Sequence, residues 1–508
     1  MKFWKLLLGL EKFPTTFTPT KNLGWWRVPF LHKWIAVIRL KWLLPLPALR
    51  RHAAMFSKSG SGKSYFLYLF LLTIKIHWGV WPWVPQVNSR RSLLLFDPHG
   101  DLAEKCAQNP TLLREALRAH RRGKAPNLMF ISPTLCTNSI PCCNPFDRRG
   151  KRDSKATREV LAQYLTSTFA AMLSRGDVSL SFRMEALLTP MFTVLLAIAR
   201  QGREVTFFDL LRFLKDDQNR DLVEFGMKKL KNPGMNLFFR ETFMEKQLVS
   251  TKFALRVKLA KLLSSRMFVR LLCQKQSSWD LETALNSGKT VLIDGSVSQL
   301  GREVSEIYGR TITALTQAYA FLRARRRHQK FMPIYFIVDE AASFLTEDVR
   351  VILTQARKFG LHLILCQQMV KQAGMSQDMH ETIMGNTALK VVGNAGHTTK
   401  KVLAAEMEVP LADLTHLSVG SFVLKADGRG HRRVKLPSFW LKEGSKSLDR
   451  TWAKVKPILL SHYSPDAVAG EGPGNTNTGA AMTAKRFGPK FNTLPFRVVP
   501  FFFLLPLL

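Results

Sequence analysis

The chain has 508 residues, 46% hydrophobic and 10% aromatic, enough apolar side chains to bury two or three folded units and too many for a disordered chain. Its 75 lysines and arginines outnumber 37 aspartates and glutamates, and the resulting charge of +38 indicates a polyanionic partner, nucleic acid or an anionic membrane face. Six cysteines without a C-x-x-C pair argue against a zinc site or a disulfide framework and favour a reducing cytosol.

The first segment, residues 1–50, is basic and aromatic. Its stretch "GWWRVPFLHKWIAVIRLKWLLPLPAL" suits an anionic membrane surface and equally an extra strand or helix packed on the core, and both interpretations stay open. The opening "MKFWKLLLGLEKFPTT" has no cleavage site and an apolar run too short to span a bilayer, so no signal peptide is predicted. We expect a cytoplasmic protein, with peripheral contact at the inner face of the cell membrane as an open alternative.

Residues 51–150 predict the first part of an α/β core, because the strand-type runs "HAAMF", "SLLLFD" and "NLMFIS" alternate with helical stretches. Within this part, "FSKSGSGKS" nearly matches the phosphate-binding pattern G-x-x-x-x-G-K-[ST], with Ser57 in place of the first glycine. If that position needs a left-handed backbone, serine costs about 1–2 kcal/mol there. The apolar run Tyr65–Val84 follows the loop directly, so it is predicted as a buried helix rather than a membrane span.

This loop supplies the predicted nucleotide site. Such a site needs backbone N–H groups directed inward, glycine where phosphate approaches closely, and a helix whose N-terminus faces the charge. Lys63 is expected to reach the β- and γ-phosphates of ATP, and the Ser64 hydroxyl to bind Mg²⁺. The predicted nucleotide-binding residues are Ser59, Gly60, Ser61, Gly62, Lys63 and Ser64.

Residues 151–285 change to helical periodicity and predict an all-helical insertion domain. "VTFFDLLRFL" places Thr206 three residues before Asp209, which predicts a capping pair. "TKFALRVKLAKLLSSRMFVRLL" carries apolar residues at helical spacing with basic residues between them.

Strand-type runs return in residues 286–440, the predicted second part of the core, as "TVLIDGS", "PIYFIVDE", "LHLILCQQ", "ALKVVG" and "SFVLKA". "PIYFIVDE" predicts a central buried strand ending at Asp339 and Glu340, where an α/β sheet places its ligands. We expect Asp339 to hold Mg²⁺ and Glu340 to polarise the attacking water. Gln367 and Gln368 end the next strand, where Gln368 is placed to sense a γ-phosphate.

Arg357 precedes that strand in "QARKFG" and is the candidate arginine supplied in trans to a neighbouring phosphoryl-transfer site, with ordinary surface solvation as the alternative. Residues 441–508 are predicted to be a linker, "GEGPGNTNTGAAMT", and an apolar tail, "PFRVVPFFFLLPLL". Whether the tail docks on the body, a partner or a membrane surface stays open.

Basic clusters support the polyanion prediction separately from the nucleotide site. Each is predicted to be a loop whose cationic side chains can follow phosphates without reading bases, and each alone is also compatible with simple solvation. The clusters are "HRRGK" at 120–124, "RRGKR" at 148–152, "RARRRHQK" at 323–330 and "GHRRVK" at 430–435.

The ordered motifs resemble the HerA/FtsK superfamily of P-loop DNA pumps, and within it most resemble the coupling and secretion ATPases of conjugative type IV systems. The likeness covers roughly residues 50–430. It rests on "SKSGSGKS", "LLLFDPHGD", "CNPFD", "TVLIDGSVSQLG", "FIVDEAASF", "ARKFGLHLILCQQMVKQ", "IMGNTALKVVGNAG" and "LADLTHLSVGSFVLK".

The resemblance implies a RecA-like motor domain with an all-α insertion, assembled as a ring of usually six subunits that threads DNA while ATP is hydrolysed between neighbours. It implies that Lys63, Ser64, Asp339, Glu340 and Gln368 do the chemistry with ATP and Mg²⁺, and that type IV secretion or relaxosome proteins are partners. It assigns Asp97 to a family acidic position without fixing its role. Ser57 departs from the pattern, and we expect no pair of transmembrane helices like that of coupling proteins before the loop.

Three other functions stay open. One is a type IV secretion assembly or export ATPase with little DNA dependence, and another is a HerA-like DNA-processing translocase. The third is a non-hydrolysing nucleic-acid or membrane-binding protein with a degenerate loop, which Ser57 alone favours. A transporter ATPase of the ABC class is disfavoured, because "LSVGS" at 417–421 lacks the second glycine and the glutamine of the L-S-G-G-Q signature.

Overall fold

The computed structural model of the chain describes nine stretches of residues, all within the unit Met1–Gly470. They are 46–78, 85–133, 141–151, 154–174, 178–323, 331–341, 348–370, 377–436 and 446–463. The predictions for the N-terminal segment before residue 46 and for the glycine-rich linker and apolar tail after residue 463 lie outside them.

The strand-type runs of the sequence form a mostly parallel sheet. In the described residues the strands are β1 (Ala53–Phe56), β2 (Ile76–Trp78), β3 (Pro85–Val87), β4 (Ser92–Asp97), β5 (Leu128–Ile131), β6 (Thr290–Asp294), β7 (Ile334–Val338), β8 (Leu361–Gln367), β9 (Leu389–Val392), β10 (Ser421–Ala426) and β11 (Arg432–Lys435). Nine of them make one sheet in the order β11-β10-β9-β1-β8-β7-β4-β6-β5, and β2 pairs with β3 separately.

The sheet is parallel from β9 to β5, and β10 and β11 add an antiparallel edge. Every residue of β4, β7 and β8 is buried. Because alternate side chains of a strand point to opposite faces, both faces of the sheet are covered. The predicted α/β fold class is therefore confirmed.

The helices alternate with these strands and fill the long interval between β5 and β6. They are α1 (Leu46–Leu49), α2 (Lys63–Lys75), α3 (Asp101–Ala107), α4 (Pro110–Arg121), α5 (Lys155–Ser174), α6 (Val178–Arg200), α7 (Phe207–Phe213), α8 (Arg220–Glu224), α9 (Pro233–Arg240), α10 (Lys246–Leu263), α11 (Arg266–Leu272), α12 (Leu281–Asn286), α13 (Val297–Leu300), α14 (Arg302–Leu322), α15 (Asp348–Gln355), α16 (Gln377–Asn386), α17 (His397–Glu406), α18 (Leu411–Thr415) and α19 (Lys446–Tyr463). A π-turn spans Phe225–Lys229, and 3-10 turns span Thr242–Met244 and Ala356–Phe359.

The part of the insertion that the structure describes is helical from α5 to α12. At its centre, Phe169, Phe192 and Phe207 are fully buried, and the Phe169 ring contacts those of Phe207 and Phe192 at centroid distances of 4.9 and 5.9 Å. The capping pair at α7 is confirmed: Thr206 N donates to Asp209 Oδ2 at 2.9 Å, and Phe208 N donates to Thr206 Oγ1 at 3.2 Å. Caps and apolar spacing were both readable in the sequence, which is why this region was recognised as helical.

Two apolar helices test the membrane question. The run after the phosphate loop forms α2, whose side chains include the fully buried Phe66, Leu69 and Phe70. The predicted buried helix over Tyr65–Val84 is therefore confirmed up to Lys75, whereas Ile76–Trp78 form strand β2 and residues 79–84 lie outside the described residues. Among the described residues one stretch, Phe182–Arg200 in α6, has the length and composition to cross a membrane, and 61% of it is buried inside the protein. Burial of that degree is typical of a core helix.

The C-terminal boundary of the core needs correction. Residues 441–508 were predicted as linker and tail, but Lys446–Tyr463 form the helix α19. Its side chains Trp452, Val455 and Leu459 are buried, and the Trp452 ring lies 5.6 Å from that of Phe130 on β5. The helix was missed because many lysines and an internal proline obscure its apolar face in the sequence.

Candidate functional site

The loop between β1 and α2 has the backbone that a phosphate-binding loop requires. Gly60 and Gly62 have φ of +73° and +94°, a left-handed region that side chains disfavour. A Cβ on Gly62 would lie 3.3 Å from the backbone of Gly420, whereas one on Gly60 would meet no atom within 4 Å. Both positions therefore favour glycine because of their positive φ, and the space beside Gly60 is open.

Ser57 fits the first position of the loop without strain. It is not among the described non-glycine residues with positive φ, so the expected cost of a left-handed serine does not arise. Its N–H donates to Gln367 O at 3.0 Å, and its hydroxyl shares a hydrogen bond with Ser61 Oγ. A Cβ on Gly393 would lie 2.3 Å from Ser57 Oγ, so a glycine at the end of β9 makes room for this hydroxyl.

Three of the predicted site residues, Lys63, Asp339 and Glu340, converge beside this loop. Lys63 Nζ lies 2.7 Å from Asp339 Oδ1 and 3.9 Å from Glu340 Oε1. Burial lowers the pKa of Lys63, but the ion pair with Asp339 outweighs burial and raises it. The order β1-β8-β7 in the sheet explains the meeting, because the carboxyl ends of parallel strands share one edge.

Glu340 is held in an uncommon conformation. Its φ is +55°, and its N–H donates to Asp339 Oδ1 at 3.0 Å. Gln368 Nε2 donates to Glu340 Oε1 at 2.6 Å, and His99 Nε2 lies 3.2 Å from the same oxygen. Burial raises the pKa of Glu340, but these two hydrogen bonds and the charge of Lys63 outweigh it and lower the pKa. The carboxylate thus stays ionised, as a group that polarises water must be.

His99 was missed as a site residue, although "FDPHGD" was noticed. The motif follows β4, which lies next to β7 in the sheet with Phe96 opposite Val338. Asp97 is buried and accepts hydrogen bonds from His99 N at 3.0 Å and Ala103 N at 2.9 Å, which fixes the turn that carries His99. Only the strand order, which the sequence does not state, reveals the contact with Glu340.

The remaining predicted residues divide by position. Ser61 and Lys63 are buried, whereas Ser59 and Ser64 are exposed, with Ser64 in the first turn of α2. Arg357 is exposed on the 3-10 turn before β8, at the end of that strand opposite Gln367. It therefore lies away from its own chain's loop, and its action in a neighbour's site stays a prediction.

The donor set fits ATP and Mg²⁺. The open space beside Gly60 adjoins the loop, the Lys63 ammonium stands at the carboxyl edge, and the Ser64 hydroxyl and Asp339 carboxylate are oxygen ligands of the kind Mg²⁺ prefers. Ser64 and Asp339 would hold the metal, and Lys63 and the loop N–H groups would hold the phosphates.

The predicted loop clusters are confirmed only in part. His120 and Arg121 are the last residues of helix α4. Arg323 is buried, and residues 324–330 lie outside the described residues. Residues 148–151 are a loop with Arg149 exposed, as predicted, but Arg148 is buried. Arg148 is 2% exposed, and its guanidinium lies 3.4 Å from Tyr319 Oη and 3.8 Å from Glu282, so it cannot follow a phosphate backbone. Arg432–Lys435 form the edge strand β11 rather than a loop, with Arg432, Arg433 and Lys435 exposed. Alternation of exposed and buried residues, hidden among the charges, distinguishes this strand.

The comparisons with known proteins agree with this geometry. Residues 333–407 match the family described as the TraM recognition site of TraD and TraG. No curated protein sequence matches the chain significantly. Solved structures of the conjugative coupling protein TrwB are similar to it: the unbound monoclinic form has 16% identity and a TM-score of 0.52, covering 79% of this chain and 87% of that one.

Two nucleotide complexes of TrwB are similar as well. The complex with ADP and Mg²⁺ has 17% identity and a TM-score of 0.50, and the complex with a non-hydrolysable ATP analogue has 15% and 0.51, each covering 79% of this chain and 88% of TrwB. The chain has the fold of the coupling protein TrwB. The predicted resemblance to conjugative coupling and secretion ATPases is confirmed at the level of this fold, and the matched family segment contains Asp339, Glu340 and Gln368.

Proposed function

We propose that the protein is an ATP-driven DNA translocase of the conjugative coupling type, working as a ring of six subunits. The observation that carries the proposal is the convergence of Lys63, Asp339, Glu340 and Gln368 beside a phosphate-binding loop. The charge of +38 supports DNA as the polyanion. The TrwB fold, reported for a plasmid coupling protein, supports transfer as the setting.

In the proposed reaction the residues of the chain bind, orient and polarise. Lys63 and the loop N–H groups would hold the phosphates, and Ser64 and Asp339 would hold Mg²⁺. When bound, this ion would act as a Lewis acid that offsets the negative charge of the phosphates. Glu340 polarises the attacking water, and Gln368 contacts Glu340 from the neighbouring strand. Arg357 of an adjacent subunit would complete the site.

The partners and location follow as further parts of the proposal. The family description of residues 333–407 names TraM recognition, which supports a relaxosome protein as partner for this segment. We place the protein in the cytoplasm, with peripheral contact at the inner face of the cell membrane through its basic N-terminal segment.

The first test measures ATP hydrolysis by the purified protein, alone and with single- or double-stranded DNA. We expect stimulation by DNA that Glu340→Gln abolishes, because the amide cannot polarise water. The matched control is Glu224→Gln, which neutralises an exposed helical carboxylate paired with Lys228 and should leave hydrolysis unchanged.

Other outcomes would replace the proposal. Glu340-dependent hydrolysis that DNA does not change would favour a type IV secretion ATPase. If the protein is folded and oligomeric but does not hydrolyse ATP, the result would favour a nucleic-acid or membrane-binding protein with a degenerate phosphate-binding loop.

A further inference from the structure

The contacts of the Glu340 carboxylate are unequal between its two oxygens. Gln368 Nε2 at 2.6 Å, His99 Nε2 at 3.2 Å and Lys63 Nζ at 3.9 Å all meet Oε1. In the described part of the chain, no hydrogen bond or ion pair is made to Oε2. Oε1 is therefore anchored by three groups from the described residues.

The position of His99 is set by its backbone rather than by packing of its ring, since 59% of the side chain is exposed. Asp97 accepts the N–H of His99 from one side of the turn. On the other side Gly100, at φ +88°, passes so close to β6 that a Cβ would lie 2.6 Å from Asp294 Oδ1.

Asp294 is itself fixed. Its Oδ1 accepts Ser296 N at 3.0 Å, and its Oδ2 accepts the Ser132 hydroxyl at 2.6 Å. The turn after β4 is therefore held between two buried carboxylates, one at the end of β4 and one at the end of β6. A side chain that orients a catalytic carboxylate must itself be held in place. The rigid turn provides this support for His99.

We propose that His99 is a positioning residue that, together with Gln368, anchors Oε1 of Glu340 and so directs Oε2 toward the attacking water. The inference rests on the proposed function, because it takes Glu340 as the water-polarising group. The two donors come from strands on opposite sides of β7, so the carboxylate is held between β4 and β8. His99 touches neither phosphate nor water in this assignment and acts only through Glu340.

The test uses three full-length variants, two of them compared in DNA-stimulated ATP hydrolysis. His99→Ala should lower kcat at least about tenfold with KM for ATP within about twofold, because orientation of the carboxylate matters in the transition state and not in ATP binding. His99→Gln keeps a side-chain amide donor and should recover most of kcat. Because Glu340→Gln already lacks DNA-stimulated hydrolysis, the third variant, His99→Ala in the Glu340→Gln background, is compared with Glu340→Gln by binding of a fluorescent ADP analogue, which should be unchanged if His99 acts only through the carboxylate.

A merely structural role for His99 gives a different pattern. In that case His99→Ala would raise KM or weaken binding of a fluorescent ADP analogue along with kcat, and His99→Gln would not recover. Wild-type activity of His99→Ala would also overturn the inference while leaving the proposed function intact. Absence of Glu340-dependent hydrolysis in the wild-type protein would instead overturn the proposed function, so the two failures are distinguishable.

Discussion

Asp97 shows how one residue supports the site without joining its chemistry. Burial raises the pKa of this carboxyl to about 6, although the N–H groups of Ala103 and His99 donate to it and oppose the shift. The same hydrogen bonds hold the turn that carries His99. Asp97 therefore holds His99 in position, although burial of its carboxylate costs free energy of solvation.

The pH dependence of stability should reveal this cost. Because the folded-state pKa of Asp97 lies above the ordinary value, the folded protein binds the proton more tightly, and its free energy of unfolding falls as pH rises from about 4 to about 6. Asp97→Asn lacks this slope. Urea unfolding at about pH 4.5 and about pH 7.5 should show the wild type losing stability relative to the variant at the higher pH. An equal difference at both pH values would contradict this account.

Gly100 makes a second prediction at the scale of one residue. Alanine there needs a left-handed backbone, which costs about 1 kcal/mol, and it also places Cβ 2.6 Å from Asp294 Oδ1. Gly202 has nearly the same φ, +89°, but open space around it, so Gly202→Ala carries the backbone cost alone. We expect Gly100→Ala to lower the free energy of unfolding by at least about 1 kcal/mol more than Gly202→Ala. If urea unfolding shows equal losses of stability for Gly100→Ala and Gly202→Ala, the turn relaxes enough to accommodate the Cβ, which contradicts this prediction.

The sequence predicted the site residues that follow a local pattern and missed those that depend on strand order. Lys63 lies in a loop motif, and Asp339, Glu340 and Gln368 follow apolar strands, so each was identified before the fold. His99 contacts Glu340 because β4 adjoins β7, and Gly393 makes room for Ser57 because β9 adjoins β1. Their partners are distant in sequence, and without the sheet order nothing local marks them.

Among the elements, α2 is tied down at both ends. Its first residue, Lys63, pairs with Asp339, and its last residue, Lys75, is fully buried. Lys75 Nζ donates to three backbone carbonyls, Asn88 O at 2.9 Å, Arg91 O at 2.6 Å and Gly288 O at 2.8 Å. The helix that presents the phosphate loop is thus fastened to the turns before β4 and β6.

Lys75→Met should therefore lower the free energy of unfolding much more than the same substitution at a surface lysine. The methionine fills similar volume but leaves three carbonyls without this donor, a loss of about 3 kcal/mol in free energy of unfolding. Lys228→Met, at an exposed lysine in the insertion, is the control and should change stability by less than about 0.5 kcal/mol. Urea unfolding near neutral pH makes the comparison, and similar losses for both variants would refute the anchoring role.

At the scale of the molecule, the strand order places Arg357 and Glu340 at opposite edges of one sheet. β8 separates the turn bearing Arg357 from Gln368, and its seven residues span about 20 Å. An arginine side chain cannot cover that distance, so Arg357 cannot serve the loop of its own chain. If it serves catalysis, a neighbouring subunit must provide the site, as in a head-to-tail ring.

Mixed oligomers should test this last prediction. Arg357→Ala and Glu340→Gln are each expected to lose DNA-stimulated hydrolysis, since the arginine of such a site contributes about 10³-fold or more. Subunits mixed before assembly should regain activity, because about a quarter of the interfaces then join an intact Glu340 to a neighbour's intact Arg357. Mixing Glu340→Gln with Lys63→Ala is the control: the two losses fall on the same edge of each chain, where Lys63 and Glu340 lie 3.9 Å apart, so no interface combines both intact groups in one site. Recovery only in the first mixture would establish action in trans, whereas full activity of Arg357→Ala alone would leave that residue a solvated surface group.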